Sequence, residues 1–239
     1  MFFLYPDEPN GPVKRILALG DSLSDLGPPH GKKRYSDGEV WLETLAKGLR
    51  LPPPDSRAFG GARTGYNNYR AEFPRTGLQT QVEGVTPDDL QPGTLTALWC
   101  GFNDLHEGTG DPASSVANIL RAMGDLAEKG ARTFLVLNLF DPTRAPAFND
   151  TEYAKRGPAA RILVEGFNRE LAAGIALMRS TLPDIAILPL DAAAILEQEI
   201  PMGPGEEGDL YWVDHWHFSE HVHQALGHAA ALALGGEEA

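Results

Sequence analysis

Residues 16–25 read Ile-Leu-Ala-Leu-Gly-Asp-Ser-Leu-Ser-Asp, an apolar run of strand length that ends just before a glycine and a serine. A hydroxyl is a poor nucleophile until a base takes its proton. A tight strand-to-helix turn at Gly20 would lift the Ser22 side chain into solvent near a helix N-terminus, where an activated serine can work. Two other uses of Ser22 stand beside this one, a plain helix cap and a phosphate-binding turn. The second lacks its Gly-x-x-x-x-Gly-Lys-Ser/Thr pattern, and Asp21-Ser22-Leu23 has no second acid two residues after the first.

A base stands near the other end of the chain. Asp214-His215-Trp216-His217 sets a carboxylate three residues before an imidazole. On a turn, that spacing lets Asp214 accept the Nδ1 proton of His217, which leaves Nε2 to face Ser22. His215, His217, His221, His223 and His228 crowd this region, so a metal cluster with His217 and His221 four apart is the alternative. A helix beginning at Ser219 would leave His217 outside it, and the His-Glu-x-x-His spacing is missing. Acyl transfer also needs donors aimed where charge develops on the carbonyl oxygen. Gly60-Gly61-Ala62 and Gly101-Phe102-Asn103-Asp104 each follow an expected strand, and they offer close-approaching backbone N–H groups and a side-chain amide. Taken singly, each also reads as an ordinary turn.

The elements that must bring these groups together follow from periodicity. Apolar runs of strand length alternate with segments of helical period, the pattern of an α/β sandwich with helices on both faces of a parallel sheet. The strands are expected at Arg15 to Leu19, Arg57 to Phe59, Leu95 to Cys100, Thr133 to Leu139 and Ile185 to Leu190. Asp111 and Pro112 open a helix that buries Val116, Ile119, Leu120, Met123 and Ala127 and stops at Gly130. A long crossover helix is expected over residues 158–182, with Ile162, Leu163, Phe167, Leu171, Ile175, Met178 and Leu182 on its buried face. The last helix starts at Ser219 and buries Val222, Leu226, Ala229 and Ala230, with a short acidic tail behind it. Pro and Gly clusters at residues 27–31, 51–61, 142–158 and 201–208 are loops, and all but the second are expected to border a site at the carboxyl edge of the sheet. The loop over residues 141–158 has the length of a flap.

No repeat, low-complexity block or linker divides the chain, so one domain is expected over residues 1–239, with a core at about 13–235. Its 239 residues, 42% of them apolar, are enough to bury a core without a disulfide or metal staple. The one cysteine, Cys100, closes an apolar run and is expected to be a buried hydrophobe. A net charge of −13 repels phosphate backbones and anionic headgroups, so nucleic acid is not expected as a partner. The first residues fail as a secretory signal and no run is long enough to span a membrane, which makes a cytoplasmic location the simplest expectation.

Gly-Asp-Ser-Leu, Gly-Gly-Ala, Gly-x-Asn-Asp and Asp-x-x-His occur in that order, and together they resemble the GDSL esterase/lipase family of SGNH hydrolases over residues 16–220. Arg34-Tyr35-Ser36-Asp37-Gly38-Glu39-Val40-Trp41 looks like that family's Arg-Phe-Ser-Asn-Gly-x-x-Trp stretch, and Leu78 to Val82 looks like its Leu-x-x-Gln-Val segment. The resemblance implies a three-layer α/β/α sandwich around a five-stranded parallel sheet in the flavodoxin-like order 2-1-3-4-5. It implies Ser22 as nucleophile, His217 as base and Asp214 as orienter. The Ser22 N–H, the Gly61 N–H and the Asn103 amide would form the oxyanion hole. Asp25 and Asp104 match motif acids expected to hold loops together, and Asp21 is expected to point into the same structural network. Phe218 departs from the pattern, since many members carry proline after the histidine.

The activity implied is hydrolysis of a small-molecule carboxylic ester through an acyl-enzyme, with no cofactor and no metal. Short-chain or small soluble esters are expected, with carbohydrate acetyl esters, lysophospholipids or thioesters as the family's other substrates. A non-catalytic carbohydrate- or lipid-binding module and a metal-dependent hydrolase are the readings from other classes. Phe102, Leu105, Phe140, Phe148, Trp212 and Phe218 fall in or beside the expected site loops and are the candidates for an apolar acyl pocket.

Overall fold

A computed structural model describes residues 11–236; the first ten residues and the acidic end of the chain lie outside it. The apolar run at the start is strand β1 (Arg15–Gly20), which turns all of Ile16 to Leu19 into the core. It is followed by α1 (Trp41–Gly48), β2 (Asp55–Ser56), α2 (Leu78–Gly84), β3 (Thr94–Trp99) and the single-turn α3 (Phe102–Leu105). After these come α4 (Pro112–Lys129), β4 (Thr133–Leu137), α5 (Thr151–Thr181), β5 (Ala186–Leu190), α6 (Ala192–Glu199) and α7 (Glu220–Ala233).

The five strands pair in the order β2-β1-β3-β4-β5, every neighbour parallel. Both faces of β3 and β4 are buried, as a parallel sheet between two helical layers requires. Helices α1, α6 and α7 pack together on one side, and α2, α4 and α5 on the other. The order implied by the family resemblance is therefore the observed one, and the three layers are present.

Several boundaries move. The second strand is Asp55–Ser56 rather than residues 57–59, although the Arg57 and Phe59 amides carry the pairing on by donating to Ala18 O and Gly20 O at 2.8 and 3.2 Å. The crossover helix starts seven residues earlier than expected, where the Asp150 carboxylate caps the Glu152 amide, and it runs through Pro158. Its buried face is built on Gly157, Ala160 and Val164 ahead of Phe167, so Ile162 stands 64% exposed and Leu182 is also outside the core. The stretch over residues 141–158 is consequently no long loop. Two single-turn 3₁₀ segments, Pro142–Arg144 and Pro146–Asn149, lead directly into α5. Helix α4 matches the sequence reading at both ends, with Asp111 accepting from the Ala113 and Ser114 amides and Gly130 at φ +121° closing it.

Candidate active site

Ser22 leaves the carboxyl end of β1 on a turn. In the register Gly20 sits opposite Trp99, and a Cβ at Gly20 would run into the Trp99 carbonyl, so close strand packing is what requires a glycine there. The turn is held from inside: Asp21 Oδ1 accepts from the Leu23 amide at 3.1 Å, and Ser24 N donates to Asp21 O at 3.1 Å. Gln81 of α2 grips both sides of Gly20, accepting from its N–H at 2.9 Å and donating to its carbonyl at 2.8 Å. The expected helix after the serine is not there. Residues 21–24 form an isolated turn and the next helix begins at Trp41, so Ser22 neither caps a helix nor sits on a helix N-terminus.

The second loop is fixed by a buried acid. Asp25 accepts from the amides of Gly27, Lys32 and Gly60 at 2.7, 3.0 and 2.7 Å. Gly61 takes φ +83°, a left-handed conformation, and a Cβ on it would come 2.5 Å from Asn68 Oδ1. Neither its N–H nor that of Ser22 donates to any acceptor among the described residues. The third loop is fixed likewise: Asp104 accepts from Thr64 N and Oγ1 at 3.1 and 2.9 Å. One Nδ2 hydrogen of Asn103 goes to Ala62 O at 3.1 Å, which leaves the second for a ligand. Burial raises the pKa of Asp21 to about 7, with help from Asp104 and Asp25 and against the Leu23 amide; burial likewise raises Asp25 and Asp104.

The base arrives on a loop between α6 and α7. Trp212 and Phe218 pair as an antiparallel bridge, and Val213 N donates to His217 O at 2.9 Å. At the tip, Asp214 Oδ1 accepts from the Trp216 and His217 amides at 2.8 and 2.9 Å, and the His217 ring donates from Nδ1 to both carboxylate oxygens at 2.8 Å. That contact assigns the proton to Nδ1 and leaves Nε2 as the acceptor. Burial opposes the Asp214 charge, but the His217 ring and the two amides outweigh it and hold its pKa down at about 2. Phe218 is fully buried, with ring centroids 4.8 Å from both Trp212 and Phe140, and so anchors the loop.

Ser22, Gly61, Asn103 and His217 line one cavity of about 130 Å³, together with Leu23, Tyr35, Tyr69, Arg70, Phe102, His106 and Trp216. Asp214 stands behind His217 through the imidazole. Of the aromatic wall expected from sequence, only Phe102 is in place. Leu105, Phe140, Phe148, Trp212 and Phe218 are core residues. The loop expectation is also corrected: the end of the second Pro/Gly cluster borders the cavity through Gly61, and the clusters at 27–31, 142–158 and 201–208 contribute no lining residue. Tyr69 and Arg70 belong to no motif; their loop folds back on Gly61, eight residues before Tyr69, with Tyr69 N donating to Gly61 O at 2.7 Å. His106 and Trp216 meet edge to face at 4.9 Å, with His106 also stacked on Phe102 at 5.2 Å. Among Tyr69, Arg70, His106 and Trp216, only Trp216 falls inside one of the motifs, between Asp214 and His217.

A larger hollow of about 290 Å³ lies between α5 and α6, but it holds none of these groups and its arginines, Arg144 and Arg161, are paired with Glu197 and Asp141. The C-terminal histidines separate rather than converge. His215 faces Glu207 at 3.0 Å and His221 faces Glu199 at 2.6 Å, and among the described residues no three His, Cys, Asp or Glu side chains are grouped to hold a metal ion. Cys100 is free and buried. No helix among the described residues is long and apolar enough to cross a membrane.

Against known proteins, the family model described as GDSL-like Lipase/Acylhydrolase matches residues 16–230. A thermolabile hemolysin of Vibrio parahaemolyticus is 31% identical over 164 residues, which are 61% of this chain and 37% of that protein. A phosphatidylcholine-sterol acyltransferase of Aeromonas hydrophila is 28% identical over 155 residues, 56% of this chain and 46% of that one. The chain thus spans less than half the length of either curated relative. Among solved structures, an acetylxylan esterase from Geobacillus stearothermophilus superposes with a TM-score of 0.64 at 14% identity, covering 95% of this chain and 97% of that one. At that identity the likeness is one of fold.

Proposed function

The chain belongs to the GDSL-like lipase/acylhydrolase family, and from that premise we propose that it is a serine ester hydrolase acting on small, short-chain esters. Ser22 attacks the ester carbonyl as His217 Nε2 takes its proton, and the Ser22 N–H, Gly61 N–H and Asn103 amide stabilise the oxyanion. Asp214 holds the imidazole by Nδ1 and balances its charge once protonated. The imidazolium then gives its proton to the leaving alcohol, and a water activated by the same ring releases the acyl group. Ser22 Oγ has no hydrogen bond to another described residue, and its bond to Nε2 closes when substrate is bound, as is common for such pairs.

The observation that carries this reading is convergence. Four chemically distinct groups, from segments up to 195 residues apart by their numbers 22 and 217, meet in one cavity. The Ser22 and Gly61 N–H groups, which no described residue accepts, belong to residues lining that cavity and are there for a substrate oxygen to receive. The substrate size follows from the cavity, whose volume of about 130 Å³ suits a short acyl group better than a long chain. Ser22→Ala and His217→Ala are each expected to lower hydrolysis of p-nitrophenyl acetate by about 10² to 10⁴-fold. Ser22→Ala should also abolish labelling by a fluorophosphonate probe. Near wild-type turnover in Ser22→Ala, or activity lost to a chelator and restored by zinc, overturns the assignment.

A further inference from the structure

Tyr35 touches both halves of the site. Its ring lies 4.5 Å from the His217 imidazole, centroid to centroid, tilted by 38°, and Lys33 Nζ covers it at 4.6 Å. Its hydroxyl is packed against Gly60, where an added Cβ would collide with the phenol oxygen, so the O–H stands beside the Gly60–Gly61 peptide. Gly60 is itself pinned by Asp25, and Gly61 carries one of the free N–H groups. Tyr35 and Gly61 line the same cavity. Yet the phenol hydroxyl has no hydrogen-bond partner among the described residues.

A packing role alone would not need that oxygen. The motif stretch this segment resembles has phenylalanine at the position, and the ring contact with His217 would survive without the hydroxyl. Burial raises the phenol above its ordinary pKa, with Asp25 and Asp214 adding to the effect and Arg70 opposing it, so the group keeps its proton and stays a donor. An uncharged O–H beside Gly60, the residue before the Gly61 donor, with no described residue to receive it, is suited to an oxygen that gains charge only during reaction.

Resting on the ester-hydrolase reading above, we propose that Tyr35 is a further catalytic residue: its phenol O–H donates to the substrate oxyanion next to Gly61 N–H, while its ring braces His217. The donor acts mainly in the transition state, where the oxygen carries charge, so its loss falls on kcat rather than KM.

Tyr35→Phe keeps the ring and removes the donor. It is expected to lower kcat on p-nitrophenyl acetate by about tenfold with KM unchanged. Binding of butylboronic acid, which forms a tetrahedral adduct on an active serine, should weaken by a similar factor, and the apparent pKa of the kcat/KM profile and the thermal midpoint should stay in place. A kcat within about twofold of wild type, or a loss confined to KM with boronate binding unchanged, overturns the proposal. Fluorophosphonate labelling separates the two levels. A wild-type protein that neither labels nor hydrolyses sinks the ester-hydrolase reading and this one with it, whereas an active wild type matched by Tyr35→Phe sinks only the role of Tyr35.

Discussion

The two sides of the cavity are held in place by opposite means. On the nucleophile side, three turns leave the ends of β1, β2 and β3, and the buried carboxylates of Asp21 and Asp25 and the half-buried one of Asp104 accept the backbone and hydroxyl donors that fix them. On the base side, a single loop closes over itself with Asp214 at its tip, and the aromatic cluster of Phe140, Trp212 and Phe218 roots it in the core. The first arrangement depends on ionisable groups out of water, which resist charge. The second depends on apolar area, which is indifferent to pH. Burial therefore wins over the stabilising amides at the three carboxylates of the first side, whereas at Asp214 on the second the His217 ring and two amides outweigh it.

The largest effect should come from cutting the aromatic root. Phe218→Ala removes a fully buried ring and is expected to cost about 3 to 5 kcal/mol of stability. The loss should be the same at pH 8 and pH 9 in denaturant titrations, above the range in which His223, edge-on to Phe218 at 6.0 Å, takes up a proton. A loss that varies with pH would break the contrast.

The polar side should behave otherwise. With Asp21 raised to about 7, the folded protein holds this carboxyl neutral while the unfolded chain ionises it near pH 4. Folding therefore takes up a proton between about pH 4 and 7, and the contribution of this group to stability falls as pH rises through that window. Asp21→Asn is neutral throughout. Relative to wild type it should gain roughly 2 to 4 kcal/mol on going from pH 4 to pH 8, measured as the difference between the two unfolding curves. A flat difference would place the ionised carboxylate comfortably in the fold and remove the burial penalty inferred here. His223 runs the other way. Burial first, then His217, holds its pKa at about 3, so its contribution to stability is lost as pH falls from about 6.5 towards 3.

The same division explains which parts of the fold and site are legible in the sequence alone. Four strands were legible because β1, β3, β4 and β5 are apolar runs that a parallel sheet buries on both faces, and α4 because its cap and stop residues are local. The second strand was displaced because Asp55 and Ser56 carry no apolar signal and pair only because Leu17 and Ala18 lie beside them. On α5, small residues such as Gly157 and Ala160 form the inward face, and Ile162 points away, since hydrophobicity marks what can be buried and close helix packing decides what is. Ser22, His217, Asp214, Gly61 and Asn103 were legible as a motif in chain order. The cavity wall was not. Aromatic type told that Phe140, Phe148, Trp212 and Phe218 would be covered, but not that neighbours would cover them, while Tyr69 and Arg70 reach the cavity through a backbone bond that no local pattern announces.

The smallest effect sharpens the comparison most, because two opposing terms meet at Asp25. Burial raises its pKa and so penalises the charge, while the amides of Gly27, Lys32 and Gly60 favour it. In Asp25→Asn the charge is relieved, but Nδ2 on the Oδ1 side leaves the Gly27 N–H without an acceptor at a cost of about 1 to 3 kcal/mol, and the neutral oxygen left to the Lys32 and Gly60 amides accepts more weakly than the carboxylate did. Relief of the buried charge offsets part of this, and a net loss of about 1 kcal/mol is expected. Activity should fall further than stability does. Gly60 N shares the Oδ2 atom with Lys32 N, and loosening Gly60 moves both the Gly61 donor and the surface on which the Tyr35 hydroxyl rests. On p-nitrophenyl acetate the variant should therefore lose kcat by about tenfold while unfolding almost as wild type does. Equal small losses in both, with kcat unaffected beyond the unfolded fraction, would mean that Asp25 holds the loop's stability and leaves its geometry to the neighbouring Asn68, which donates to Gly60 O at 2.9 Å.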